Sequence, residues 1–207
     1  MHSSHQRNGP LRCNTTETWH SCSDDLCLPL GTPAGYAVVD VARTSARGGG
    51  VAIIFCKQLK CSRLVVPAWR TLEVICIRLT TPSGPVIVVN IYRPGSEKPS
   101  ALFFDELASV LETLVSYSCP VVVGGDFNVR SQDPSDPDAR RLDSLLSSFD
   151  MVQHSRGPTH RCGNTLDFAL TFADHVPDTV NVDPCGVVSD HALVTCHLPL
   201  RRHSPNV

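Results

Sequence analysis

The stretch "VVVGGDFNVR", Val121 to Arg130, runs from an apolar segment of strand length through two glycines into Asp126 and Asn128. Side chains alternate along a strand, so the acid and the amide are read onto one face at its end. An unpaired carboxylate buried in such a place is strongly destabilising. Asp126 must therefore be paired, bind a metal, or stand at a sheet edge that faces a cleft.

Outward from this stretch, short runs rich in valine and isoleucine alternate with turn signals and read as strands. They are Ala37–Ala42, Val51–Phe55, Arg63–Val66, Leu72–Leu79, Val86–Tyr92, Val121–Gly125, Leu166–Thr171, Thr179–Val182 and Ala192–Leu198. Two segments carry a helical period instead. Over Ala101–Tyr117, residues Phe103, Leu107, Val110, Leu111 and Leu114 form one stripe, with Ser100 as its cap. In the second, Leu142, Leu145, Leu146 and Phe149 share a face, Asp136 is placed as N-cap and Pro137 takes the first helical position. Many strands with few helices predict an α/β fold in which two packed sheets are flanked by helices.

The bulk composition suits one globular domain: 207 residues, 42% hydrophobic and 18% charged. A net charge of −2 excludes a global positive field, so any nucleic-acid contact must come from local basic patches. No run approaches the roughly 18 apolar residues of a membrane helix, and Met1 to Thr16 is too polar for a signal peptide. An intracellular address, the nucleus included, is expected. The ten cysteines form no CxxC pair, and several lie in apolar runs where a reduced thiol is a small hydrophobe. The three glycines of "ARGGGV", Ala46–Val51, permit a tight turn or a close backbone approach, and the hairpin turn is the favoured reading. With no Lys-Ser or Lys-Thr following at Walker spacing, they form no phosphate loop.

Polar residues interrupt the apolar pattern in three further places. "VVSDHALV" sets Ser189, Asp190 and His191 at the entrance of a strand. In "NTLDFALT", Leu166, Phe168 and Leu170 face one way while Asp167, Ala169 and Thr171 face the other, which aims a carboxylate at the opposite layer. "TTETWH" holds Glu17 between two threonines. Each has a bland reading as a turn or a cap. Together, carboxylates, an amide and a histidine at the ends of separate strands suit a hard divalent cation, an oriented imidazole and a bound phosphate or water.

The ordered series "TETW", "RGGGVAI", "NIYRP", "GGDFN", "GPTH…NTLDF" and "SDHALV" resembles the endonuclease/exonuclease/phosphatase superfamily, and within it the endonuclease domain of non-LTR retrotransposons. The resemblance implies a two-sheet α/β/β/α sandwich of the deoxyribonuclease I type over residues 16–199. Residues 1–15 lie outside the match, and 200–207 form a tail. Family members begin with a strand ending in an active-site asparagine, followed by a helix. Asn8 and Asn14 stand too close to Glu17 to fill that place, so an N-terminally truncated domain lacking its first strand and helix is expected.

By position, the resemblance makes Glu17 and Asp190 ligands of Mg²⁺, or of Mn²⁺ in its stead. It makes Asp126, Asn128, His191, Asp167 and Tyr92 catalytic, with Asp167 holding His191. Thr159 and Ser189 match substrate-binding positions. The implied reaction is metal-assisted attack of water on a DNA phosphodiester, the target-site nick of a retrotransposon. A reverse transcriptase is then expected as a partner encoded outside this chain. A phosphomonoesterase of the same fold and an inactive nucleic-acid-binding remnant are the alternatives.

Overall fold

The computed structural model describes residues 14–16, 18, 27–43, 49–186 and 189–199. Strands β1 (Asn14–Thr16), β2 (Tyr36–Val41) and β3 (Val51–Cys56) form an antiparallel sheet in the order β1-β3-β2. A larger sheet contains β4 (Lys60–Arg63), β5 (Glu73–Thr81), β6 (Gly84–Tyr92), β7 (Val121–Asp126), β8 (Met151–Gln153) and β9 (Asp167–Phe172). Its spatial order is β4-β5-β6-β7-β9-β8. Strands β10 (Thr179–Val182) and β11 (Val194–His197) make a separate antiparallel pair.

The centre of the large sheet follows from its sequence. Residues Val86–Tyr92 of β6 are buried without interruption, as an apolar run covered on both faces must be. Its neighbour β7 is parallel to it, and a parallel return needs a crossover long enough to hold a helix. That crossover is α2 (Ala101–Val115), which follows α1 (Cys27–Gly31) in chain order. The expected stripe of α2 is buried, and Ser100 accepts a bond from the Phe103 N–H at 3.2 Å. Helix α3 (Pro137–Ser148) starts as its sequence signals, with Asp136 capping the Asp138 N–H at 2.8 Å and Pro137 in the first turn.

Alternation then sorts β6 into two cores. Ile87, Val89 and Ile91 pack with Phe103, Leu107, Leu111, Leu142 and Leu146 under the two long helices. Val86, Val88 and Tyr92 turn the other way and meet Val51, Ile53 and Phe55 of the smaller sheet. Asn90, fully buried on this second face, ties the two sheets by donating to the Ala52 carbonyl at 3.1 Å. The molecule is thus an α/β sandwich of two facing sheets. Among the described residues the five-residue α1 lies beside β2.

Two strand expectations shift. The run Arg63–Val66 is not a strand: the edge strand lies at Lys60–Arg63, and Leu64 and Val66 leave it to pack on the helical core while Val65 points to solvent at 97% exposure. The strand expected at Ala192–Leu198 begins at Val194, because Ser189–His191 is spent on a turn and a single β-bridge. The elements β1, β8 and α1 are three to five residues long, too short to show a period. Residues 1–13, ahead of β1, fall outside the described residues, as does Glu17 itself.

The second glycine of "GGDFN" has a steric reason. Gly125 sits at φ +140, and a Cβ added there would lie 1.8 Å from the Ile91 carbonyl oxygen of the paired strand. Gly125→Ala is expected to destabilise the fold by at least about 3 kcal/mol in urea denaturation, since both the backbone conformation and the ladder must give. Gly31→Ala, which meets nothing within 4 Å, should change stability by less than about 0.5 kcal/mol.

Candidate active site

The antiparallel pairing of β7 with β9 sets Asp126 directly opposite Asp167, at one end of the large sheet and on the face turned toward the smaller one. The parallel pairing with β6 adds Tyr92 beside Asp126. Tyr92 is 4% exposed, part of the inter-sheet core, and has the Arg43 guanidinium 5.4 Å above its ring.

Beyond Asp126 the chain leaves the sheet, and simple alternation stops describing it. Phe127 is fully buried and stacks on Phe168 with ring centroids 4.8 Å apart. Asn128 takes a left-handed conformation, φ +50, which asparagine tolerates better than most residues. This folds it back onto Asp126: its backbone N–H donates to Oδ1 at 2.9 Å and its side-chain amide to Oδ2 at 2.8 Å. The acid and the amide do meet, but through a turn that closes on both carboxylate oxygens. The other Asn128 amide hydrogen goes to the Arg93 carbonyl at 2.9 Å.

Arg93 and Gly95, in and beside the quoted "NIYRP", also belong to this site, although no local pattern in the sequence marks them. The Arg93 guanidinium is buried and donates to the carbonyls of Phe127 (2.7 Å), Asn128 (2.6 Å), Pro94 (2.8 Å) and Glu97 (2.9 Å). It therefore clamps the turn that carries Asp126 and Asn128. Gly95 leaves room for that turn, since a Cβ there would stand 2.6 Å from Asn128 Oδ1.

His191 approaches from the segment before β11. Its Nδ1 lies 2.8 Å from Asp167 Oδ2, and ligand atoms of Asp126, Asp167 and His191 lie within 4.8 Å of one another. A second cluster, with the same mutual reach, joins His160, Asp190 and His191. The Asp190 carboxylate is about half exposed at the rim. Ser189 is occupied by its own turn: Oγ accepts the His191 N–H at 3.0 Å and lies 3.2 Å from the His191 carbonyl. Thr159 is fully buried, and its hydroxyl accepts the N–H groups of Leu166 (2.8 Å) and Asp167 (2.9 Å). That hydroxyl is committed to starting β9 and does not face solvent. His160 lies within the quoted "GPTH", but no local pattern in the sequence marks it as part of the site.

Residues 15–191 match the Endonuclease/Exonuclease/phosphatase family. The chain belongs to that family. Its fold is also that of solved structures at low identity. The endonuclease domain of TRAS1, a telomere-specific non-LTR retrotransposon, is 18% identical with a TM-score of 0.67, covering 81% of this chain and 80% of that one. The 3′ phosphatase NExo from Neisseria, bound to a product DNA hairpin, is 20% identical with a TM-score of 0.65, covering 93% and 90%. The human Nocturnin catalytic domain is 16% identical with a TM-score of 0.59, covering 84% and 75%. No curated protein matches the chain significantly in sequence. Membership places the chain among hydrolytic nucleases and phosphatases, whose nucleases are generally dependent on divalent metals. Among the described residues, no helix is long and apolar enough to cross a membrane.

In this family member the electrostatics favour a charged imidazole. The hydrogen bond that His191 Nδ1–H donates to Asp167 is the largest influence on the ring. With the negative charge of Asp167, Asp126 and Asp190 it outweighs burial and pushes the pKa up to about 9. The pKa is raised above the ordinary value of 6.5, so the pairing contributes its full stability below about pH 6.5 and loses it as the pH rises through about 9. An NMR titration should place the His191 midpoint near 9, and in Asp167→Asn it should fall by at least about one unit. An unchanged midpoint in that variant would contradict the pairing.

Proposed function

We propose that the protein is a divalent-metal-dependent DNA endonuclease that hydrolyses phosphodiester bonds. The observation that carries this reading is the meeting of two differently prepared groups at one sheet end: a carboxylate held by Asn128 and an imidazolium held by Asp167. One is suited to accept a proton and the other to face negative charge, which is the division of labour that water attack on a phosphodiester requires.

In this reading Asp126 takes the proton of the attacking water. Asn128 orients Asp126, because both of its amide hydrogens are already used, on Asp126 and on the Arg93 carbonyl. His191 donates from Nε2 to a phosphate oxygen while Nδ1 stays on Asp167, and Tyr92 forms the wall beside Asp126. Ser189 shapes the turn that presents His191, and Thr159 fixes the strand start that presents Asp167. Glu17 and Asp190 would hold Mg²⁺ or Mn²⁺. Hard cations take oxygen ligands; among the described residues Asp126 and Asp167 gather with His191 at this sheet end, and Asp190 with His160 and His191. When bound, such an ion offsets charge on the phosphate oxygens.

The fold similarity to the endonuclease domain of TRAS1, a non-LTR retrotransposon, is in keeping with a DNA substrate; a retrotransposon parent that also encodes a reverse transcriptase is part of the same proposal. Such a role is exercised in the nucleus. The reading is tested by nicking of supercoiled plasmid in Mg²⁺. Nicking is expected to vanish with EDTA and to fall by at least about 100-fold in Asp126→Ala and in His191→Ala. Unchanged nicking in both variants would overturn the mechanism. Phosphate release from a 3′-phosphorylated hairpin without plasmid nicking would instead make the chain a phosphomonoesterase.

A further inference from the structure

The loop from Gly157 to Thr165 is stapled to the segment that carries Asp190 and His191. Within the loop, the N–H groups of Thr159 and His160 both reach the Asn164 carbonyl, at 2.9 and 3.0 Å. Across the gap, the Arg161 N–H donates to the Asp190 carbonyl at 2.9 Å and the Ala192 N–H to the Thr159 carbonyl at 2.7 Å, on either side of a bridge between His160 and His191. This backbone pairing leaves the His160 ring edge-on to the His191 ring, with centroids 4.9 Å apart and planes at 71°. The His160 side chain is 18% exposed.

The tautomer of His160 follows from one contact. The Cys162 N–H donates to His160 Nδ1 at 3.2 Å, and a backbone N–H can only donate. Nδ1 therefore carries the lone pair, and the proton of the neutral ring sits on Nε2. That nitrogen lies 3.6 Å from Asp190 Oδ2, so a donor faces an acceptor within the range that tightens when a substrate or an ion settles. A metal on His160 Nε2 would require the proton to move to Nδ1, against the Cys162 N–H. The cluster of His160, Asp190 and His191 is thereby better suited to hydrogen bonding through His160 than to ligation by it.

We propose that His160 is a positioning residue: its Nε2–H steers the half-exposed Asp190 carboxylate, and its ring sets the plane of His191. Asp126 has two oxygens held by Asn128, whereas Asp190 stands at the rim with His160 Nε2 3.6 Å from its Oδ2. The proposal rests on the nuclease reading only for what this alignment serves, since the geometry holds without it.

Two measurements on the full chain test it. Imidazole ¹⁵N–¹H correlation spectra should show neutral His160 as the Nε2–H tautomer, and the Nδ1–H form would overturn the assignment whether or not the protein cleaves DNA. In plasmid nicking, His160→Leu with an unchanged Tm should lower kcat by about 10- to 100-fold with KM nearly constant. His160→Gln, whose amide N–H can replace Nε2–H, should recover activity to within about threefold of wild type. A leucine variant as fast as wild type, or a glutamine variant as slow as leucine, would overturn the proposal. A wild-type chain inert on DNA refutes the nuclease reading, and the tautomer then decides the role of His160 alone.

Discussion

Two carboxylates stand directly opposite each other on neighbouring strands, Asp126 on β7 and Asp167 on β9. Like charges in that position repel, and Asp126 is 2% exposed, so water cannot screen it. The rest of the site compensates for this pair. Asn128 bends into a left-handed turn and brings two donors onto Asp126, while His191 is drawn in from a distant segment and places its ring on Asp167. The hydrogen bond to Asp167, with the negative charge of Asp167, Asp126 and Asp190, raises the imidazole pKa, and the site acquires a cation beside a held base.

The scaffold serves the same constraint. β7 can lie close enough to β6 because Gly125 has no side chain to strike Ile91. The turn after Asp126 is held by a buried guanidinium whose bonds all end on backbone carbonyls near it, and the stacked Phe127 and Phe168 fill the space beneath. Deleting the arginine would strand those carbonyls, so its effect on the site runs through the backbone and not through contact with substrate.

The central strands and both long helices were legible because their signals are local: alternation, a 3.6-residue stripe, and caps at Ser100 and Asp136. Asp126, Asp167 and His191 were legible as polar residues in apolar company. The facing of Asp167 was correctly read from alternation along β9. The route by which Asn128 reaches Asp126 was not, since it depends on a left-handed turn and not on strand periodicity. Arg93, Gly95 and His160 stayed hidden for a common reason. Each works by touching backbone or side chains far away in sequence, which no local pattern reports. The Thr159 hydroxyl is turned inward to the start of β9, a contact that no local pattern reports.

If the opposed carboxylates and their partners form one catalytic unit, Asp126 and His191 act on the same bond in the same step. Residues that act as a unit lose their contributions together. The most direct measurement is the single-turnover nicking rate of Asp126→Asn, His191→Gln and the double variant against wild type. A double variant no more than about threefold slower than the slower single variant is expected. Losses that multiply, so that each group contributes independently of the other, would contradict one catalytic unit.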